Sequence, residues 1–110
     1  MKKNWFEMKA DAQQTAEISI YDDIGAYGVT AKDFIATLSS IAAPVIRVSI
    51  NSPGGAVFDA LAMFNALRQH PANIEVSIMG VAASAASLVA MAGDKITMSD
   101  NAFVMIHNPL

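Results

Sequence analysis

Polar and apolar residues alternate through Glu17-Ile18-Ser19-Ile20-Tyr21, the period-two signature of a strand with one buried face. Asp22 to Gly28 reads as a turn, using Gly25 and Gly28. Phe34, Ile35, Leu38 and Ile41 then recur at helical spacing, with Thr30 placed to cap the helix and Pro44 to stop it. Val45-Ile46-Arg47-Val48-Ser49-Ile50 is rich in β-branched residues and predicts the next strand, broken by Asn51-Ser52-Pro53-Gly54-Gly55. A second helix is expected from about Ala56 to Gln69, with Val57, Leu61, Phe64 and Leu67 as its apolar stripe and His70-Pro71 as its end.

Ile74 to Met79 predicts a further strand, after which Gly80 leads into a small-residue helix running to Met91, with Gly93 as its C-cap. Two short strands follow, at Lys95–Met98 and Phe103–Ile106, joined through Ser99-Asp100-Asn101. Residues 1–16 are polar and mixed and read as an N-terminal arm ahead of a domain over residues 17–110. The alternation of strands and helices predicts an α/β architecture.

Composition narrows the possibilities. A chain of 110 residues suits one small domain, and the absence of cysteine removes disulfides and thiolate metal sites. Only 15% of residues are charged and 54% are hydrophobic, against roughly 25% charged in ordinary domains, so surface is expected to be buried against partners. The net charge of -3 and pI near 5.1 offer no electrostatic footprint for nucleic acid. The apolar run from Val81 to Gly93 is interrupted by Ser84 and Ser87 and falls short of the roughly 20 residues that span a bilayer, so it reads as a core helix. Lys2 and Lys3 are followed by Asn4, Glu7 and Lys9, without the apolar stretch of a signal peptide; a cytoplasmic location is expected.

Three features could carry chemistry. Ser84, in Gly80-Val81-Ala82-Ala83-Ser84-Ala85-Ala86-Ser87, would stand in the first turn of its helix, where unpaired N–H groups favour negative charge. The Ala85 N–H could then donate to a developing oxyanion, but a serine without a base is inert at neutral pH. A serine among alanines also serves as a packing residue, as Ser87 is expected to do. His107, in Met105-Ile106-His107-Asn108-Pro109, could supply the base, or simply end its strand. His70, at a helix end before Pro71, needs no catalytic role. Ser52-Pro53-Gly54-Gly55 could present backbone N–H groups to a ligand or merely make a tight turn. It lacks the Gly-Lys-Ser/Thr ending of a phosphate loop.

Taken in order, the Asn51–Gly55, Gly80–Ser87 and Met105–Pro109 segments strongly resemble the Clp-type serine peptidase family, from about Glu17 to the last residue. Ile20-Tyr21 with Ile24-Gly25, Ala31-Lys32-Asp33-Phe34 and Ala92-Gly93-Asp94-Lys95-Ile96 resemble its phage branch, the head maturation proteases. The resemblance implies an α/β fold of the ClpP/crotonase type, a right-handed superhelix of repeated β-β-α units. It implies Ser84 as nucleophile and His107 as general base. Gly55 and Ala85 match the oxyanion-hole positions, with Gly54 beside them, although alanine stands at position 85 where the family usually has methionine.

Family members continue beyond the histidine into a helix that makes ring contacts and a region carrying the triad aspartate, so the C-terminal part of the fold is expected to be missing. Asp94 and Asp100 lie between serine and histidine, where the third residue does not belong. Without that aspartate, activity is expected to fall about 10⁴-fold. The implied reaction is peptide hydrolysis by acyl transfer, needing no metal or organic cofactor. The implied partners are a peptide or protein substrate, capsid or scaffold precursors among them, and further copies of the chain, in a bacterial host's cytoplasm or a phage prohead. Two other readings stand beside it: a catalytically silent assembly module, and a crotonase-type enzyme acting on an acyl-CoA.

Overall fold

The computed structural model describes residues 6–8, 15–25 and 28–105. Its strands are β1 (Phe6–Met8), β2 (Thr15–Ile20), β3 (Val45–Ser52), β4 (Asn73–Ala83), β5 (Lys95–Met98) and β6 (Phe103–Met105). Helices α1 (Ala31–Ser39), α2 (Val57–Gln69) and α3 (Ala85–Ala90) alternate with β2 to β5. The sheet order is β1-β2-β3-β4-β5, with β6 also on β4. Among the described strands only β1 runs antiparallel, so part of the segment read as an arm joins the sheet, and β2 begins at Thr15.

Parallel register turns the alternation in each strand into continuous rows. Ala16, Ile46 and Ile74 align, as do Ile18, Val48 and Val76, and then Ile20, Ile50 and Ile78; all are buried. Phe34, Leu38, Met63, Leu67 and Val89 from the helices complete this core. On the other face, Glu17, Arg47, Glu75 and Lys95 form one row, and Ser19, Ser49, Ser77 and Thr97 the next. Arg47 Nε lies 3.4 Å from Glu75 Oε1, an exposed pair that contributes little stability. The rows matter more for specificity, because slipping one strand by a residue would drive these charges into the core.

Each crossover contains a long strand, a short extended segment and a helix. Ile24 forms isolated bridges to Val29 and Gly55, and the β3–β4 register is irregular between Ile50 and Ser52. The first half of β4 pairs with β5 and its last residues, Val81–Ala83, with β6. β6 thus joins the same sheet at the end of β4, and the Ile24 bridges lie outside the named strands.

Thr30 caps α1 as expected, its Oγ1 accepting the Asp33 N–H at 3.2 Å. Asp59 of α2 accepts the Ala31 N–H at 2.9 Å, which ties the two helices together. The α2 stripe agrees with the predicted one at Leu67, which is buried, and Phe64, which packs against the core, but not at Val57 and Leu61. Ala60, Met63 and Leu67 face the core, whereas Val57, Phe58 and Leu61 are 46%, 85% and 43% exposed. Apolar residues thus lie on both the buried and the exposed sides of this helix. At the end of α3, Met91 rather than Gly93 is the C-cap.

Candidate active site

Ser84 does not stand in the first turn of a helix. Val81, Ala82 and Ala83 continue β4 by pairing with Phe103, Val104 and Met105, and Ala82 also pairs with Ser52. The strand therefore runs past Gly80, the helix begins at Ala85, and Ser84 alone joins them. Its backbone takes φ 52 and ψ -119, the one positive φ outside glycine among the described residues. Such a conformation costs about 1–3 kcal/mol in a residue with a Cβ. It is held at both peptide groups: the Ser84 N–H donates to Met105 O at 2.7 Å, and the Ser84 carbonyl accepts the Ser87 N–H at 3.0 Å and the Ser87 hydroxyl at 2.5 Å. The Ser84 hydroxyl makes no capping bond, and the residue is half-buried. A serine thrust outward on a sharp strand-to-helix turn is the device by which hydrolases present a nucleophile.

The glycine loop packs directly against this turn. Gly54 (φ 103) lies so close that a Cβ there would meet Ala83 O at 2.6 Å and both Ser84 Cβ and Ala85 N at 3.1 Å. At Gly55 (φ 148) a Cβ would meet Ile24 O at 2.0 Å. Ile24 clasps the loop from the far side, donating its N–H to Gly54 O at 2.9 Å and accepting the Ala56 N–H at 2.8 Å. The Gly54 N–H is taken by Ser52 Oγ at 3.1 Å. Among the described residues, the Gly55 and Ala85 N–H groups have no acceptor. Gly54 thus brings the loop into close contact with the Ser84 turn, and Gly55 packs against Ile24.

Ser87 is buried and serves packing and the α3 turn, as expected. His70 is equally committed: Nδ1 accepts the Ala72 N–H, and Nε2 lies 3.0 Å from Ile41 O, which assigns the proton to Nε2. Asp94 accepts the Ile74 N–H at 2.8 Å and lies 3.8 Å from Arg68, a structural post; Asp100 sits in an exposed turn. His107 lies outside the described residues, as do Ile106, Asn108 and Pro109.

Two polar residues went unassigned in the sequence. Asn51 Oδ1 accepts the Val81 N–H at 3.1 Å, and Gly80 leaves room for it, since a Cβ there would lie 2.4 Å from that oxygen. Ser52 is fully buried. The signal was a polar pair closing an apolar strand immediately before Pro-Gly-Gly. Among the described residues, no three His, Cys, Asp or Glu side chains gather to hold a metal, and no helix is long and apolar enough to cross a membrane.

The sequence matches the Clp protease family model over residues 1–110. It is 42% identical over 67 residues to an ATP-dependent Clp protease proteolytic subunit of Ligilactobacillus salivarius, a match covering 59% of this chain and 34% of that protein. It is 36% identical over 91 residues to an uncharacterized protein of Methanocaldococcus jannaschii, covering 74% of this chain and 32% of the other. The chain thus spans about a third of the length of these curated relatives. The fold is similar to that of ClpP1 from Listeria monocytogenes, with a TM-score of 0.75 and 26% identity over 84% of this chain and 56% of the other.

Proposed function

The chain belongs to the Clp protease family, and on that premise we propose that it is part of a serine endopeptidase in which Ser84 is the nucleophile and His107 the general base. Residues 17–110 then form the N-terminal portion of the peptidase domain. Ser84 Oγ attacks the scissile carbonyl while His107 takes its proton. The Gly55 and Ala85 N–H groups donate to the tetrahedral oxyanion, His107 returns the proton to the leaving amine, and water releases the acyl group from Ser84.

The observation that carries this reading is the Ser84 hydroxyl, without a partner among the described residues, on a positive-φ turn packed against a loop whose Gly55 N–H likewise has no acceptor among them. Met105, whose carbonyl fixes the Ser84 N–H, stands two residues before His107 in the sequence, which supports His107 as the partner. Enolate chemistry on an acyl-CoA would use the two donors but gain nothing from a strained serine.

The reading extends to substrate and assembly. Protein chains are the substrates, and the segments shared with head maturation proteases favour capsid or scaffold precursors. Exposed Val57, Phe58 and Leu61 are consistent with assembly into a homo-oligomer, in the host cytoplasm or the prohead. Intact mass before and after a fluorophosphonate probe, with Ser84→Ala alongside, tests the central step. A single adduct lost in the variant is expected; no adduct on the wild-type chain overturns the proposal in favour of a silent assembly module. Co-expression with a capsid precursor, read by its processing, tests the substrate.

A further inference from the structure

Ser52 closes β3 at a position where Ile46, Val48 and Ile50 set an apolar pattern, and it is 0% exposed. A buried hydroxyl is unfavourable unless its hydrogen bonds are made. Here it donates to Asp22 O at 2.8 Å and accepts the Gly54 N–H at 3.1 Å. The same two segments are joined by Ile24, through Gly54 O and the Ala56 N–H. Four hydrogen bonds therefore hold the loop around the Gly54–Gly55 peptide, and none uses the Gly55 N–H.

We infer that Ser52 is a positioning residue for the oxyanion hole: its hydroxyl anchors the glycine loop to Asp22, occupies the Gly54 N–H, and so leaves the Gly55 N–H set beside that of Ala85. The inference rests on Ser84 being the nucleophile. Glycines at positive φ are the freest points of a chain, so this loop needs an external anchor to hold a donor still. Without the hydroxyl, the Gly54 N–H would lose its acceptor and the loop would turn to find another. Ser52 itself, buried behind the loop, touches no substrate.

Saturation kinetics of fluorophosphonate labelling in the full chain test this, with thermal melting to confirm folding. Ser52→Ala is expected to lower the maximal labelling rate about 10²-fold, the scale of a misplaced reacting group, while the half-saturating probe concentration stays unchanged. Ser52→Thr, which keeps the hydroxyl, should retain most of the rate. A folded Ser52→Ala that reacts at the wild-type rate overturns the inference, as does a loss that merely follows the folded fraction. Should that variant not fold, Ser52→Cys, a weaker donor and acceptor, is expected to give an intermediate rate, and a wild-type rate would overturn the inference. If the wild type is unlabelled, or Ser84→Ala is still labelled, the nucleophile assignment fails and takes this inference with it. Labelling that depends on Ser84 but not on Ser52 removes the inference alone.

Discussion

β3 reaches α2 through Pro53, Gly54, Gly55 and Ala56, whereas β4 reaches α3 through Ser84 alone. Both junctions use positive φ, at Gly54 and Gly55 in the first and at Ser84 in the second. In the first, glycine adopts the conformation freely, and the absence of side chains lets backbone approach backbone. In the second, a residue with a Cβ adopts it at a cost of about 1–3 kcal/mol, although glycine would remove that strain. The contrast separates two uses of one backbone shape. One junction needs empty space, and the other needs a side chain held at a particular point.

The largest effect should come from filling the space. Gly54→Ala puts a methyl group 2.6 Å from Ala83 O at φ 103, and is expected to destabilise the fold by about 3 kcal/mol and to part the two junctions. Chemical denaturation measures the first effect, and loss of fluorophosphonate labelling the second. A neutral outcome would show that the junctions do not depend on close contact.

Removing the side chain from the strained turn should act in the opposite direction. Ser84→Gly is expected to raise stability by roughly 1 kcal/mol, strain relief less the added chain entropy, while abolishing labelling. A denaturation midpoint below wild type would mean that Ser84 is not strained there. The smallest effect is expected at Asn51→Ala, which removes the acceptor of an exposed Val81 N–H and should cost about 0.5–1 kcal/mol. Amide exchange at Val81 should rise in parallel, and an unchanged exchange rate would remove the bond from the account.

Much of this was readable from short-range pattern. Thr30 as N-cap, β3 from Val45 and the alternation in β2 follow from the character of neighbouring residues, and the structure has each of them. The phase of α2 was only partly readable: Leu67 and Phe64 pack inward as their spacing predicted, but Ala60 and Met63 take the buried positions expected for Val57 and Leu61, because hydrophobicity alone does not separate the two sets. The glycine loop and the serine could each be picked out, but their contact could not. It is made by Gly54 meeting Ala83, Ser84 and Ala85, residues distant in the chain.

The sequence by itself determined the α/β class, the rows of apolar and polar residues and the residue types available for chemistry, since these depend on side-chain character and local period. Tertiary structure decided where β4 ends. Val81-Ala82-Ala83 opens a run of small residues that reads as a helix, yet Ala82 pairs with Ser52 on one side and Val104 on the other. Pairing with two separate segments outweighs a local helix preference worth only fractions of a kcal/mol per residue. With the strand held through Ala83 and the helix begun at Ala85, one residue must turn the chain. That residue is Ser84.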